Sequence, residues 1–145
     1  MEDYSVYVKM RPYLDECLEY LSQYYELVVF TAGEENYANS ILDVLDPDNL
    51  ISHRLYRQHC ICVDGRYYVK DLRIIRDREL KNIVIVDNSI ISFAYNLDNG
   101  VPCAPFYWWT KNDEEFLFLN SYLMDLFHKD DVTELNWEKF KLQAI

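Results

Sequence analysis

Apolar and polar positions in this 145-residue chain follow two periods. Val6, Val8 and Met10 alternate with Tyr7 and Lys9, which predicts a half-buried strand. Over residues 12–24 the period lengthens. Leu14, Leu18 and Leu21, with Tyr13 and Cys17, trace a helical stripe whose first turn can hold Pro12. Residues 27–31 (LVVFT) are a short continuous apolar run, the signature of a strand buried on both faces of a parallel sheet, and Gly33 breaks it. Tyr37, Ile41, Val44 and Leu45 predict a second amphipathic helix, stopped at Asp46-Pro47.

The middle of the chain reads differently. Leu55-Tyr56, residues 60–63 and residues 67–69 are short β-type runs, and Asp64-Gly65 between the last two is a hairpin signal. They predict a small antiparallel insertion. Residues 83–86 (IVIV) predict another doubly buried strand, ending in Asp87-Asn88-Ser89, and Asn99-Gly100 turns into a short strand over 101–104. Asn112 and Glu115 have capping-box spacing before a final helix with Phe116, Leu119, Leu123, Met124 and Phe127 on one face. This order predicts an α/β fold built on an open sheet. In such folds polar residues just past the carboxyl ends of buried strands form sites, which singles out Thr31 and Asp87-Asn88.

Composition narrows the picture. Half the residues are apolar and three are Gly, so residues 1–145 are expected to form a single domain with an ordinary core. No apolar stretch is long enough for a membrane span, and Met1 is not followed by a basic region and an apolar block. A net charge of -11 argues against general affinity for nucleic acid. The charge is uneven: residues 51–81 carry 8 basic and 4 acidic side chains, whereas residues 1–50 carry 2 and 11. The basic island reads either as solvated surface or as a local anion site. Cys17, Cys60, Cys62 and Cys103 contain no C-x-x-C pair and read as reduced thiols of a nuclear or cytoplasmic protein. Cys60 and Cys62 beside His59 lack a fourth ligand for zinc.

Phosphoryl transfer needs a nucleophile, cations and amide donors for phosphate oxygens, and usually a divalent metal on hard oxygen ligands. Thr31 after a strand, Arg57 and Lys70 in the basic island, and Asp87 with Asn88 could supply several of these parts.

Five segments, VYVKMRP from Val6, VFTAG from Val29, LYRQHC from Leu55, YVKDL from Tyr68 and IVDNS from Ile85, resemble in order the small C-terminal-domain phosphatases. These are also called NLI-interacting-factor-like phosphatases, in the haloacid dehalogenase superfamily, and the likeness extends over about residues 6–126. It implies a Rossmannoid open parallel sheet with helices on both faces, and a magnesium-dependent phosphoprotein serine/threonine phosphatase using an aspartyl-phosphate. By motif, Thr31 resembles the phosphate-binding hydroxyl and Lys70 the lysine that neutralises phosphate and nucleophile. Arg57 resembles the substrate-phosphate arginine, Asn88 the side-chain metal ligand and Asp87 its acidic neighbour. The implied partners are a phosphoprotein or phosphopeptide substrate, with other protein partners compatible.

The family's first motif, D-x-D-x-T on a buried strand, supplies nucleophile, general acid/base and metal contacts, and residues 1–145 do not contain it. Asp46-Pro47-Asp48 has the spacing but follows a helix and contains Pro; Asp3 has no second Asp two residues on. Ile90 stands at a usual Pro, and one extra residue separates Cys60 from Lys70, which bears on the hairpin register. The first central strand is therefore expected to be missing and residues 1–145 inactive, as a fragment whose upstream segment carries the nucleophile. The alternative is a pseudophosphatase binding module similar to the receptor subunit of the mitochondrial presequence translocase. The aromatic block Phe106, Tyr107, Trp108 and Trp109 is expected to serve core or rim packing.

Overall fold

Four consecutive apolar residues form β1 (Leu27–Phe30), which continues through α2 (Glu35–Leu45) into the parallel strand β2 (Ile51–Leu55). A computed structural model describes this arrangement for residues 5–144. Ahead of β1 lies α1 (Leu14–Ser22); after β2 comes the antiparallel hairpin of β3 (Ile61–Val63) and β4 (Tyr67–Val69). The chain then forms β5 (Ile85–Asp87), parallel to β6 (Gly100–Pro102), and ends in α3 (Glu115–Phe127) and α4 (Val132–Phe140). Asp64 and Gly65 both have positive φ, 53° and 64°, and Arg66 N–H bonds the Val63 carbonyl, so the expected hairpin turn forms as a type I′ turn.

The main core joins Cys17 and Leu21 of α1 to Leu119, Leu123 and Leu126 of α3, with Val101 of β6 and Val132 of α4. Leu27 at the start of β1 and Val84 just before β5 pack against this same cluster. A second cluster, Leu72, Ile85 and Phe93, covers β5 from Ile85. Because Val84 and Ile85 are consecutive, the two clusters lie on opposite faces of this strand.

The α/β fold with parallel pairs stands as expected. Among the described residues the sheet is three two-stranded pieces: β1 with β2, β3 with β4, and β5 with β6. No ladder joins β1 to β5, although both rest on the same core.

Several local expectations are corrected. Val6, Val8 and Met10 form no strand; they lie in irregular, exposed backbone. The Lys9 ammonium donates to the carbonyls of Trp108 (2.7 Å) and Thr110 (3.1 Å), and Arg11 donates to Ala104 and Asp113, tying the segment to a loop instead of a sheet edge. Pro12 falls outside α1, because Tyr13, at φ 67°, is the residue from which the helix starts. β1 is not doubly buried: Val28 is 40% exposed, and Val86 of β5 is 37% exposed, as a strand without a neighbour on one side must be. The strand expected over 83–86 starts at Ile85 and runs one residue further, to Asp87. Leu55 belongs to parallel β2 instead of the antiparallel insertion. Tyr37 and Val44 of α2 are exposed, and Ala38 is the residue that helix buries.

Asn112 does not cap α3. It has φ 53°, Glu114 occupies the cap position, and the Glu115 carboxylate accepts from Ala104 N–H. The buried face of α3 contains Leu126, while Phe127 is exposed. α4 was not expected, although Asp131 followed by Glu134 is a start signal; the Asp131 carboxylate accepts Thr133 N–H at 2.9 Å. Of the core or rim packing expected for the aromatic block, the structure shows the rim: Tyr107 and Trp109 stack at 4.8 Å on the surface with Trp108 also exposed, and Phe106 lies under Lys9 and Arg11.

Candidate functional site

The site is assembled where β1 and β5 end and the hairpin meets them. Thr31 N–H continues the β1–β2 ladder by donating to the Leu55 carbonyl at 2.9 Å. The Thr31 hydroxyl oxygen accepts Gly33 N–H at 3.0 Å, which leaves the hydroxyl proton free to donate to an incoming anion. At the other strand end, Asp87 accepts Ser89 N–H on Oδ1 at 2.9 Å.

The hairpin bridges these ends. Cys60 precedes β3 and Lys70 follows β4, so they stand opposite each other at the hairpin base. The Cys60 thiol reaches the Thr31 carbonyl at 3.8 Å, and Lys70 Nζ donates to Asp87 Oδ2 at 2.6 Å. The extra residue between Cys60 and Lys70 has not turned the lysine away. The Lys70 backbone N–H is held by the Ser92 carbonyl at 2.7 Å, and both members of the ion pair are 11% exposed at their side chains. Burial pushes the Cys60 thiol pKa up, opposed by the positive charges of Lys70 and Arg57. Those two cations therefore share the neighbourhood of one sulfur.

Arg57 is held more loosely. Its Nε donates to the Ala32 carbonyl at 2.7 Å, its NH1 to Glu34 at 3.2 Å, and its guanidinium lies 5.2 Å from the Tyr68 ring centre. With 42% of its side chain exposed, it can exchange Glu34 for another anion at little cost. Thr31 and Arg57 at the end of β1, and Lys70 with Asp87 at the end of β5, thus flank the hairpin base at Cys60. Asn88 stands apart: it is exposed, and its side chain has no hydrogen bond among the described residues. Cys60 and Tyr68 are the members that sequence reasoning missed; the signal was their place beside Arg57 and Lys70 in the quoted segments.

The rest of the basic island disperses. Arg54 pairs with Asp43, Arg73 with Asp71, Arg78 with Glu26 and Lys81 with Glu79, so the cluster in sequence is not one anion site in space. Asp46, the nearest imitation of a D-x-D motif, is 4% exposed, and its two carboxylate oxygens accept the N–H groups of Leu50 and Ile51, each at 2.9 Å. It is a turn-stabilising residue. His59 likewise serves structure, accepting Tyr56 N–H on Nδ1 at 2.8 Å.

The profile of the NLI interacting factor-like phosphatase family matches residues 1–133. The chain belongs to this family. Among curated relatives it is 43% identical over 143 residues to "CTD small phosphatase-like protein 2" of Dictyostelium discoideum, a match covering 99% of this chain and 25% of the relative. It is also 43% identical over 142 residues to "CTD small phosphatase-like protein 3" of Caenorhabditis elegans, covering 97% of this chain and 48% of that one. The chain therefore spans between a quarter and a half of these relatives. The solved structure of the fission yeast RNA polymerase II CTD phosphatase Fcp1 bound to beryllium fluoride superposes with a TM-score of 0.60 at 22% identity, over 81% of this chain and 35% of that one. At that identity the likeness shows a shared fold. No helix among the described residues is long and apolar enough to cross a membrane.

Proposed function

We propose that residues 1–145 act as one unit, the phosphate-recognising part of a phosphoprotein serine/threonine phosphatase, and that alone they bind phosphate without turning it over. The placing of the Thr31 hydroxyl, the Arg57 guanidinium and the Lys70 ammonium on either side of the hairpin base, at the ends of two parallel strand pairs, carries this reading. A phosphate there meets two cations and a hydroxyl donor, the groups that neutralise non-bridging oxygens in phosphoryl transfer. Its substrate is a phosphoprotein or phosphopeptide, and the setting is nuclear or cytoplasmic.

Covalent turnover requires a free aspartate nucleophile, and among the described residues the aspartate at the site, Asp87, is held by the Lys70 ammonium at 2.6 Å. Loss of an activated nucleophile costs on the order of 10⁶ in rate where it has been measured. Magnesium, which the family resemblance implies, does not fit the side chains present. Asp87 accepts one hydrogen bond on each oxygen, from Lys70 and from Ser89, so with Asn88 it offers a divalent cation a single carboxylate whose charge the Lys70 ammonium already offsets. A hard octahedral ion calls for a second carboxylate that is not already neutralised by a cation.

The test is purified protein assayed with an aryl phosphate and magnesium, alongside titration of inorganic phosphate followed by phosphorus NMR. No turnover with weak saturable phosphate binding is expected, and Thr31→Val should weaken that binding. Turnover abolished by Asp48→Asn would make Asp48 the nucleophile and overturn this reading. Absence of any phosphate binding would favour the alternative, a pseudophosphatase that keeps the fold to bind proteins.

A further inference from the structure

We infer that Glu34 makes the phosphate site select phosphopeptides that carry a lysine or arginine beside the phosphorylated residue. This selectivity rests on the phosphate-binding reading of the site and defines its substrate class. Thr31 and Glu34 lie three residues apart in the turn after β1, and Arg57 is fastened to that same turn. The Arg57 backbone N–H donates to the Gly33 carbonyl at 3.1 Å and its Nε to the Ala32 carbonyl at 2.7 Å. The guanidinium is thereby kept next to Glu34, whose carboxylate accepts from NH1 at 3.2 Å.

Glu34 is anchored in turn. It holds the cap position of α2, where its carbonyl accepts Ala38 N–H at 2.9 Å while its side chain makes no capping bond. The adjoining carboxylate, Glu35, accepts from Gln58 Nε2 at 2.6 Å, which draws a second negative charge toward the residue following Arg57.

The charges around the site decide what a substrate must bring. Arg57 is matched by Glu34 and Lys70 by Asp87, so both cations are already neutralised before an anion arrives. A phosphate group with its nearly two negative charges is then uncompensated, whether it binds beside these carboxylates or displaces one. Of the two carboxylates, Asp87 is nearly buried, while the Glu34 side chain is 75% exposed and free to turn to a new partner. A cationic side chain next to the phosphorylated residue can pair with Glu34 as the phosphate takes Arg57, which restores the balance. An acidic neighbour adds to the repulsion. Exposed charge pairs of this kind change affinity by up to about fivefold.

The test uses three phosphoserine peptides of one Ser-Gly framework, with Lys, Gln or Glu on both sides of the phosphoserine, titrated into the whole chain at about 0.15 M salt. The Lys peptide is expected to bind about fivefold more tightly than the Gln peptide, and the Glu peptide to bind most weakly. Glu34→Gln should bring the Lys and Gln peptides within about twofold of each other, chiefly by tightening the neutral one. Glu16→Gln, at an exposed carboxylate of α1, makes the same change in net charge and should leave the preference intact. The proposal is overturned if the Lys peptide has no advantage, if it binds equally well without its phosphate, if its advantage survives Glu34→Gln, or if Glu16→Gln removes it equally. Failure of all three phosphopeptides to bind would overturn the phosphate-binding reading itself, and this selectivity with it.

Discussion

Replacing Lys70 by Met keeps most of the side-chain length and removes the charge, leaving the Asp87 carboxylate with its Ser89 N–H bond but without its ion-pair partner at 2.6 Å. Breaking a buried pair from one side costs about 3–5 kcal/mol, whereas removing both charges is often close to neutral. Each side chain here is 11% exposed, so the low end applies, about 3 kcal/mol by that reasoning. For a chain of this size that corresponds to a Tm lower by roughly 6–12 °C. Asp87→Asn in the same protein leaves an amide in place of the charge, and the double variant Lys70→Met/Asp87→Asn should recover much of the loss.

Phosphate binding should respond with opposite signs. Asp87 competes with phosphate for the Lys70 ammonium, so Asp87→Asn should tighten phosphate and Lys70→Met should weaken it. A charge-assisted hydrogen bond contributes about 1.5–3 kcal/mol, hence a weakening of at least about tenfold. Denaturant melts of the four proteins give the coupling, and NMR titration gives the affinities. A Lys70→Met loss below about 1 kcal/mol would show that the pair is not a buried one in solution. Phosphate affinity unchanged in both single variants would remove Lys70 from the site.

Three further outcomes follow from other contacts. Arg11 forms two bonds to Asp113, at 2.8 and 2.7 Å, and one to the Ala104 carbonyl at 2.7 Å; with Asp113 7% exposed, Arg11→Ala should cost about 3 kcal/mol in a urea melt. The Arg11 guanidinium holds the Asp113 carboxyl below its ordinary value. This stabilisation is therefore complete above the usual carboxylate range and is lost as pH falls through the lowered value, and Arg11→Ala should flatten that acid limb. Gly100→Ala would place a Cβ 2.1 Å from the Phe93 ring, which is fully buried, so at least about 1–3 kcal/mol of overpacking is expected from the same melt. Cys62 is exposed, while burial pushes the Cys17 thiol up to about 11, so a thiol reagent on the native protein should label Cys62 quickly and Cys17 at the rate of unfolding.

Residue order alone determined the alternation of helices with apolar runs, the hairpin at Asp64-Gly65, and the five segments that resemble the phosphatases, because each depends on neighbours within a few positions. It also determined that D-x-D-x-T does not occur among residues 1–145. What it could not determine depends on distant partners. Val6 and Val8 have strand periodicity, yet Lys9 and Arg11 bind a loop about a hundred residues away and hold the segment off the sheet. The apolar run of β1 predicts burial on both faces, but among the described residues β1 has a ladder only to β2 and Val28 is 40% exposed. Asn112 and Glu115 match a cap by spacing, whereas Glu115 is drawn to Ala104 by the packing of the preceding loop. Most of the basic island is a run in sequence whose members find separate carboxylates once folded. Lys70 with Asp87 and Cys60 with Thr31 become neighbours only when the hairpin spans two strand ends, since local patterns encode each element and long-range packing decides which side chains meet.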